Sequence, residues 1–365
     1  MKKLTALLLA LCLVLCLSGG ALAADESVQG ELVIYSSMYP FVLEMLDEAL
    51  AREFPGLKPG NDGSFFVYGG TSKLINQIYG EMEDGVLGCD MLLVAEPALS
   101  LELKEAGYLE PVEVPDAAEN LRFPYDEEGY WYPVRVCNMV LAYNPELAES
   151  WAAKGVNIPK TFEDFAKDRS LKGYIAMGDP LSSGTTFAAV ACLTQTAEPG
   201  TRANHYGRQY LRGLAANEVQ VISGSESIKK IRSGELACAM ILEESVLKAL
   251  SDAGKNGEST SDLACIYPED GVILIPSTVM TVADGHSRDG NAEACKAVER
   301  WFLSEEAQKL ILQGFMHSVF RTGEIPAGSV DTYDLIEKDL GVNWENVYRS
   351  REEINLAWIE IVANR

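Results

Sequence analysis

The chain has 365 residues, with 54 acidic against 30 basic side chains and a net charge of −24 at neutral pH. Nucleic acid and anionic membrane surfaces are held by basic faces, so this balance argues against both as partners. The length is about twice that of a usual domain and allows two hydrophobic cores.

The first residues read as an export signal. Lys2 and Lys3 precede an apolar run over 4–17, and Ala21-Leu22-Ala23 supplies a small-x-small cleavage site after Ala23. The run is shorter than the ~20 residues that span a bilayer, and Leu11 and Leu15 before Cys12 and Cys16 do not suit lipid attachment. Cleavage leaves 342 residues (365 less 23) and, with two lysines gone, a net charge of −26. An exported protein is expected, in a periplasm or at a cell surface. Six cysteines remain, at 89, 137, 192, 238, 265 and 295, without a CxxC. Buried free thiols are expected, although export permits disulfides.

Strand and helix then alternate. A strand at 33–35 leads to a helix over 41–54, where Val42, Met45, Leu46 and Ala49 share one face. Strands at 65–68 and 91–94 lead to helices at 72–82 and 97–106, Pro97 suiting a first helical position and Gly107 a stop. Residues 111–130, acidic and proline-bearing, read as a surface excursion; Tyr130, Trp131 and Tyr132 at its end read as core cover or cleft wall. A long strand is predicted over 134–143, followed by a helix at 146–154. A second series has strands at 174–177, 219–222 and 237–241 and helices at 185–194, 226–232 and 244–253. Strands at 272–275 and 278–282 return, and the tail from Asn291 is predicted to be helical.

Continuous apolar strands alternating with helices predict an α/β fold of mainly parallel sheets covered on both faces. The order suits two lobes joined by two crossing strands, 134–142 and 272–282. Lobe 1 is expected at 24–135 plus 276–365 and lobe 2 at 136–275. Ligands in such folds bind beyond the carboxyl ends of strands, so the turns of both lobes would face one cleft.

Three of those turns share a pattern: Ser36-Ser37, Gly69-Gly70-Thr71-Ser72, and residues 179–186, each between an apolar strand and an amphipathic helix. A helix start leaves N–H groups unpaired and carries partial positive charge, so small hydroxyl residues there cradle an anion. Ser36, Ser37, Thr71 and Ser72 from lobe 1, with Ser183, Gly184, Thr185 and Thr186 from lobe 2, are therefore candidate ligand contacts. Turn chemistry and helix capping are the plainer readings of the first four. Glu96, Glu243 and Glu244 at strand ends would accept hydrogen bonds from ligand hydroxyls or an amine, or else simply satisfy a helix dipole. Arg135 on the crossing strand would meet an anion or pair with a carboxylate. His205, His286 and His317 have no metal-ligand spacing. No cofactor, metal or catalytic motif is expected: S-x-x-K occurs at 227–230 and 245–248, but KTG and SDN are absent.

The chain resembles the solute-binding proteins of ABC importers, in the group that contains ferric-iron, sugar-phosphate, phosphoglycerate and 2-aminoethylphosphonate binders. The resemblance is carried by Val33-Ile34-Tyr35-Ser36-Ser37, Gly69-Gly70-Thr71-Ser72-Lys73-Leu74-Ile75, Glu105-Ala106-Gly107-Tyr108-Leu109-Glu110-Pro111 and Ile158-Pro159-Lys160-Thr161-Phe162-Glu163-Asp164-Phe165. Ser183-Gly184-Thr185 and Phe302-Leu303-Ser304-Glu305-Glu306-Ala307-Gln308 continue it. It implies a two-lobed periplasmic-binding-protein fold, a receptor that closes on its solute, and a membrane permease as partner. Iron-binding members typically have a histidine after the first strand and two adjacent tyrosines later. Here those places read Ser36-Ser37-Met38 and Ile241-Leu242-Glu243-Glu244. A monomeric receptor for a small anionic or zwitterionic solute, phosphorylated or a phosphonate, is thus expected. A ferric-iron, other metal or polyamine binder is the alternative, and a secreted hydrolase the second.

Overall fold

The computed structural model describes residues 25–195 and 206–364; the expected signal peptide at 1–23, its cleavage site and His205 lie outside the described residues. The chain begins with β1 (Gly30–Leu32), β2 (Ile34–Ser36), α1 (Pro40–Glu53), β3 (Leu57–Pro59), β4 (Phe66–Tyr68), α2 (Thr71–Asp84), β5 (Met91–Val94) and α3 (Pro97–Glu105). Two short elements, β6 (Leu109–Glu110) and α4 (Ala117–Asn120), precede the long β7 (Tyr132–Tyr143). Then come α5 (Ala148–Ala153), α6 (Phe162–Lys167), β8 (Ile175–Met177), α7 (Gly184–Thr194), α8 (Gln209–Ala216), β9 (Gln220–Val221), α9 (Gly224–Ser233), β10 (Cys238–Leu242) and α10 (Glu243–Asn256). The chain closes with β11 (Ala264–Ile266), β12 (Ile273–Val282), α11 (Ala292–Phe302), α12 (Glu305–Gln313), β13 (His317–Ser318), α13 (Thr332–Glu337) and α14 (Trp344–Trp358).

The main sheet runs β4-β2-β5-β12-β7-β10-β8-β9. Its two ends are parallel, β4-β2-β5 and β10-β8-β9, and the antiparallel pair β12 and β7 lies between them. Side-chain alternation explains the layers. In the first end Ile34, Met91 and Leu93 face α1, α11 and α12, while Val33, Tyr35, Leu92 and Val94 face α2 and α3. In the second, Ile175, Met177, Cys238 and Met240 face α6, α7 and α8, and Ala176, Ala239 and Ile241 face α9 and α10. The six thiols at 89, 137, 192, 238, 265 and 295 are free, and all but Cys265 are buried.

Three expectations are corrected. The strands expected at 272–275 and 278–282 are one strand, β12: Pro276 sits opposite Val136, and the register shifts between Ser277 and Thr278. A bulge there accommodates the missing N–H. The 111–130 stretch is not merely a surface excursion, since Val112, Ala117, Leu121 and Phe123 are buried in the first core. The tail is helical but broken by β13 and by the irregular run at 319–331. Its last helix packs on both ends of the sheet: Val347 meets Ala98 and Phe187, while Ala357 and Trp358 join the core of Phe162 and Tyr210.

Glu299 on α11 is fully buried beside β12. Its Oε2 accepts from the Thr281 hydroxyl at 2.6 Å, and its Oε1 has no hydrogen-bond partner. Burial pushes this carboxyl up to about 8 from an ordinary 4.5, against the lowering effect of the Thr281 bond and Arg300. The folded chain thus holds a proton that the unfolded chain releases. This contribution to stability is complete below pH 4.5 and is lost as pH rises through 8. Glu299→Gln should raise the melting temperature by several degrees at pH 8 and change it little at pH 4.5, as read by scanning calorimetry.

Candidate functional site

Beyond the carboxyl ends of β8, β9 and β10 lies a cavity of about 430 Å³. The three strands lead there into α7, α9 and α10, so three helix starts, each with unpaired N–H groups and partial positive charge, converge on it. The turn before α7 contributes Asp179, Ser182, Ser183, Thr185 and Thr186. Ser223 and Gly224 come from the start of α9, and Leu242 and Ser245 from that of α10. Met139, Met240 and Ile241 form an apolar floor. Tyr39, the residue before α1, reaches in from the other end of the sheet, its hydroxyl 2.8 Å from Ser245 Oγ.

Local chemistry fixes these turns. Ser183 caps α7, its Oγ accepting from the Thr186 N–H at 3.3 Å and the Thr186 hydroxyl at 3.0 Å. Thr185 Oγ1 lies 3.3 Å from Ser183 Oγ and takes no part in the cap. Ser223 caps α9 in the same way, accepting from the Glu226 N–H at 3.2 Å. A Cβ on Gly178 would stand 2.5 Å from Thr186 Oγ1, so glycine lets the strand end press against α7. Among the described residues the wall has no Lys, Arg or His, and Asp179 is its one charged side chain.

Of the twelve expected contacts, Ser183, Thr185 and Thr186 line this cavity. The other nine stand elsewhere. Ser36 is buried at the end of β2, where its Oγ accepts from the Met38 N–H at 3.2 Å. Ser37 Oγ accepts from the Ala95 N–H at 3.1 Å. Thr71, at the start of α2, is pressed against Gly184, so closely that a Cβ on Gly184 would overlap the Thr71 side chain. Ser72 is half-buried beside it. Glu96 is fully buried and forms an ion pair with Arg351 of α14. Burial pushes its carboxyl up, although Arg351 pulls the other way.

Arg135, Glu243 and Glu244 form a buried network where β7, β13 and α10 meet. Glu244 Oε1 lies 3.8 Å from Arg135 Nη1, and burial raises its carboxyl against that pull. Glu243 accepts from Asn138 Nδ2 at 3.0 Å, the Tyr267 hydroxyl at 2.5 Å and the Ser329 hydroxyl, and pairs with His317 Nε2 at 3.1 Å. Burial alone would raise the Glu243 carboxyl; the His317, Ser329 and Tyr267 bonds outweigh it and hold the group below its ordinary value. Among the described residues, no group of three or more His, Cys, Asp and Glu side chains is arranged to hold a metal ion.

Sequence reasoning missed Tyr39, Asp179, Ser182, Ser223, Gly224 and Ser245 as wall residues. Ser223-Gly224 carries the same strand-turn-helix signal as the three turns that were singled out, between the strand expected at 219–222 and the helix expected at 226–232, and that signal would have found it. Ser245 sits inside one of the S-x-x-K matches, where its position three residues past β10 gives no hint of a ligand.

A family model described as bacterial extracellular solute-binding protein matches residues 89–326, and the chain belongs to that family. No curated protein matches its sequence. Among solved structures it is similar to the periplasmic binding protein P5PA (21% identity, 92% of this chain and 100% of that one, TM-score 0.71). It is also similar to AfuA from Actinobacillus pleuropneumoniae with exogenous fructose-6-phosphate bound (20% identity, 92% and 99%, TM-score 0.72). A third is iron-bound HitA from Pseudomonas aeruginosa (19% identity, 91% and 99%, TM-score 0.71). The shared architecture is the two-lobed periplasmic-binding-protein fold, in which β7 and β12 are the crossing strands. No described helix is long and apolar enough to cross a membrane.

Removing one partner of a buried ion pair leaves the other as an uncompensated charge, at a cost of roughly 3–5 kcal/mol. Arg351→Met should therefore destabilise the protein by about that much in urea unfolding. Pairing it with Glu96→Gln should recover most of the loss. A single-variant loss no larger than that of the double variant would mean that Glu96 tolerates the loss of Arg351.

Proposed function

We propose that this member of the extracellular solute-binding family is the exported receptor of an ABC importer for a small phosphorylated or phosphonate solute. One observation carries the reading: the starts of α7, α9 and α10 converge on one cavity with the hydroxyls of Ser183, Thr185, Thr186, Ser223 and Ser245. Phosphoryl oxygens only accept hydrogen bonds, and N–H and O–H groups aimed at one point satisfy them without a cationic side chain. The fructose-6-phosphate in AfuA supports the ligand class, and the volume suits a compact solute. HitA is iron-bound, and ferric iron favours hard oxygen ligands; among the described residues this wall offers one carboxylate and one phenol already bonded to Ser245.

Binding works by closure. Tyr39 meets Ser245 and Thr71 meets Gly184 across the gap between the two lobes. A solute that touches both lobes only when they are together shifts the open–closed balance toward the closed form. In this reading Ser183 and Thr185 hold the anion, and Thr186, which gives its N–H and hydroxyl to Ser183, orients the Ser183 hydroxyl. Thr71 and Gly184 are where the lobes abut, and Ser36, Ser37 and Ser72 shape the opposite lip. Glu96, Arg135, Glu243 and Glu244 hold the frame, and α14 belongs to both lobes. The receptor acts as a monomer and hands its solute to the permease.

The test is a thermal-shift screen of the purified mature protein against fructose 6-phosphate, phosphoglycerate, inorganic phosphate and ferric citrate, followed by calorimetry. A hydrogen bond to a charged group contributes ~1.5–3 kcal/mol. Thr185→Val should therefore weaken the phosphate ester that binds by about tenfold to a hundredfold, at ~1.4 kcal/mol per decade. Its melting temperature should hold, since Ser183 makes the cap. Unchanged affinity would remove the α7 turn from the site. A one-to-one ferric complex with a visible absorption band would replace the phosphoryl reading altogether.

A further inference from the structure

We infer that Arg351 of α14 is the positioning residue that permits the lobes to close, by supplying the counter-charge for Glu96, a carboxylate that closure buries; this inference rests on the closure reading above and not on which solute is bound. The helix α14 is rooted in lobe 2 at both ends: Leu340, Val342 and Trp344 pack on the second core at its start, and Ile354, Ala357 and Trp358 at its finish. Its middle is turned to the seam. Val347 is buried among Ala98 of α3, from lobe 1, and Phe187 and Ala191 of α7, from lobe 2. One turn on, the Arg351 guanidinium stands over the Phe187 ring, 5.3 Å from its centroid, and pairs with Glu96, the residue before α3. The helix thus travels with lobe 2. When lobe 1 swings away about β7 and β12, the contacts that part are Val347 with Ala98 and Arg351 with Glu96.

Apart from their pairing, the two oxygens of Glu96 and the Nε and Nη2 of Arg351 have no hydrogen-bond partner. A pair sealed in this way gains little by burial, because the loss of water offsets the attraction, so it does not lock the seam. Either group alone would be an uncompensated charge in the closed form, whereas the open form returns both to water. The other titratable groups that face Glu96 are Glu102 of α3 and Tyr79 of α2, whose hydroxyl donates to Glu102 at 2.7 Å; neither is cationic. Without Arg351, burial would raise the Glu96 carboxyl unopposed, and closure would have to take up a proton. The closed form is then fully favoured below the ordinary carboxyl value of 4.5 and is lost as pH rises through the raised one. The stability that Arg351→Met loses in urea is, on this inference, that of the closed form rather than of either lobe.

The experiment compares the mature parent protein with Arg351→Met, Arg351→Lys and Glu96→Gln/Arg351→Met, without solute, at pH 5 and pH 8. Small-angle scattering reads lobe separation, and hydrogen exchange, compared at matched pH, reads where the molecule opens. At pH 8 Arg351→Met should have a larger radius of gyration than the parent. The turns at 69–72 and 182–186, where Thr71 abuts Gly184, should exchange about tenfold faster or more, with 344–358 unchanged. At pH 5 it should match the parent. Arg351→Lys keeps the charge and the double variant has neither charge, so both should match the parent at both values. Gly184→Ala, whose added methyl overlaps Thr71, is the reference for an opened molecule. Opening by Gly184→Ala but not by Arg351→Met would overturn the inference and leave closure standing. Equal opening of Arg351→Met at both pH values, or of the double variant, would assign the effect to packing and overturn it as well. So would faster exchange confined to 344–358, which makes Arg351 only an anchor of its helix, or spread through both lobes, which marks unfolding. No change even in Gly184→Ala would overturn the closure reading and this inference with it.

Discussion

Everything in this molecule hangs on the antiparallel pairing of β7 with β12. The two strands run alongside each other from Ile273 opposite Met139 to Val279 opposite Tyr132, and nearly every residue in both is buried. The first parallel sheet attaches through β5 to the far end of β12, and the second through β10 to the far end of β7. Each long strand thus has one half in each lobe, and the ladder between them fixes how both sets of strand ends are aimed. Because Tyr39 follows β2 and Ser245 follows β10, their contact is a consequence of that register rather than of any local preference.

The same frame decides what the interior does with charge. Five carboxylates are buried among the described residues, in a chain where basic side chains are outnumbered; Asp90 accepts from the Val33 and Asp289 N–H groups. Glu96 and Glu244 each take a guanidinium, Glu243 takes an imidazole and several neutral donors, and Glu299 has only a hydroxyl and keeps its proton. An ionised group placed in a low-dielectric interior is strongly penalised unless it is paired, so cations go where carboxylates are already buried. Among the described residues the cavity wall receives none. Its attraction for an anion comes instead from helix starts and hydroxyls, groups the α/β order places there in any case.

The layers were legible because short apolar strands such as β5 alternate with amphipathic helices, and the crossing strands because of their length and mostly apolar composition. Pro276 was misleading: proline signals a break, yet here a bulge absorbs it within one strand. In 111–130 the acidic residues masked Val112, Leu121 and Phe123, whose burial depends on distant partners such as Phe320. The α7 turn was legible because Ser183, Thr185 and Thr186 are neighbours in sequence. Tyr39 and Ser245 are isolated residues on two separate turns, and only the register of the sheet brings them to the wall of the α7 turn. Glu96 shows the converse: its sequence context matches that of a ligand contact, and a helix some 250 residues later supplies its partner, Arg351.

The contact between Gly184 and Thr71 has a consequence for how binding strength can be tuned. It leaves no room for even one methyl group, so an alanine at 184 would act as a wedge between two turns and leave the cavity wall untouched. On the closure reading, such a wedge disfavours the conformation that binds while each solute contact stays intrinsically as strong. Apparent affinity then falls in proportion to the fraction of molecules still able to close. Affinity and selectivity become separable dials on one receptor: residues of the wall set which solute is taken, and a single hydrogen-sized gap outside the wall sets how much of it must be present.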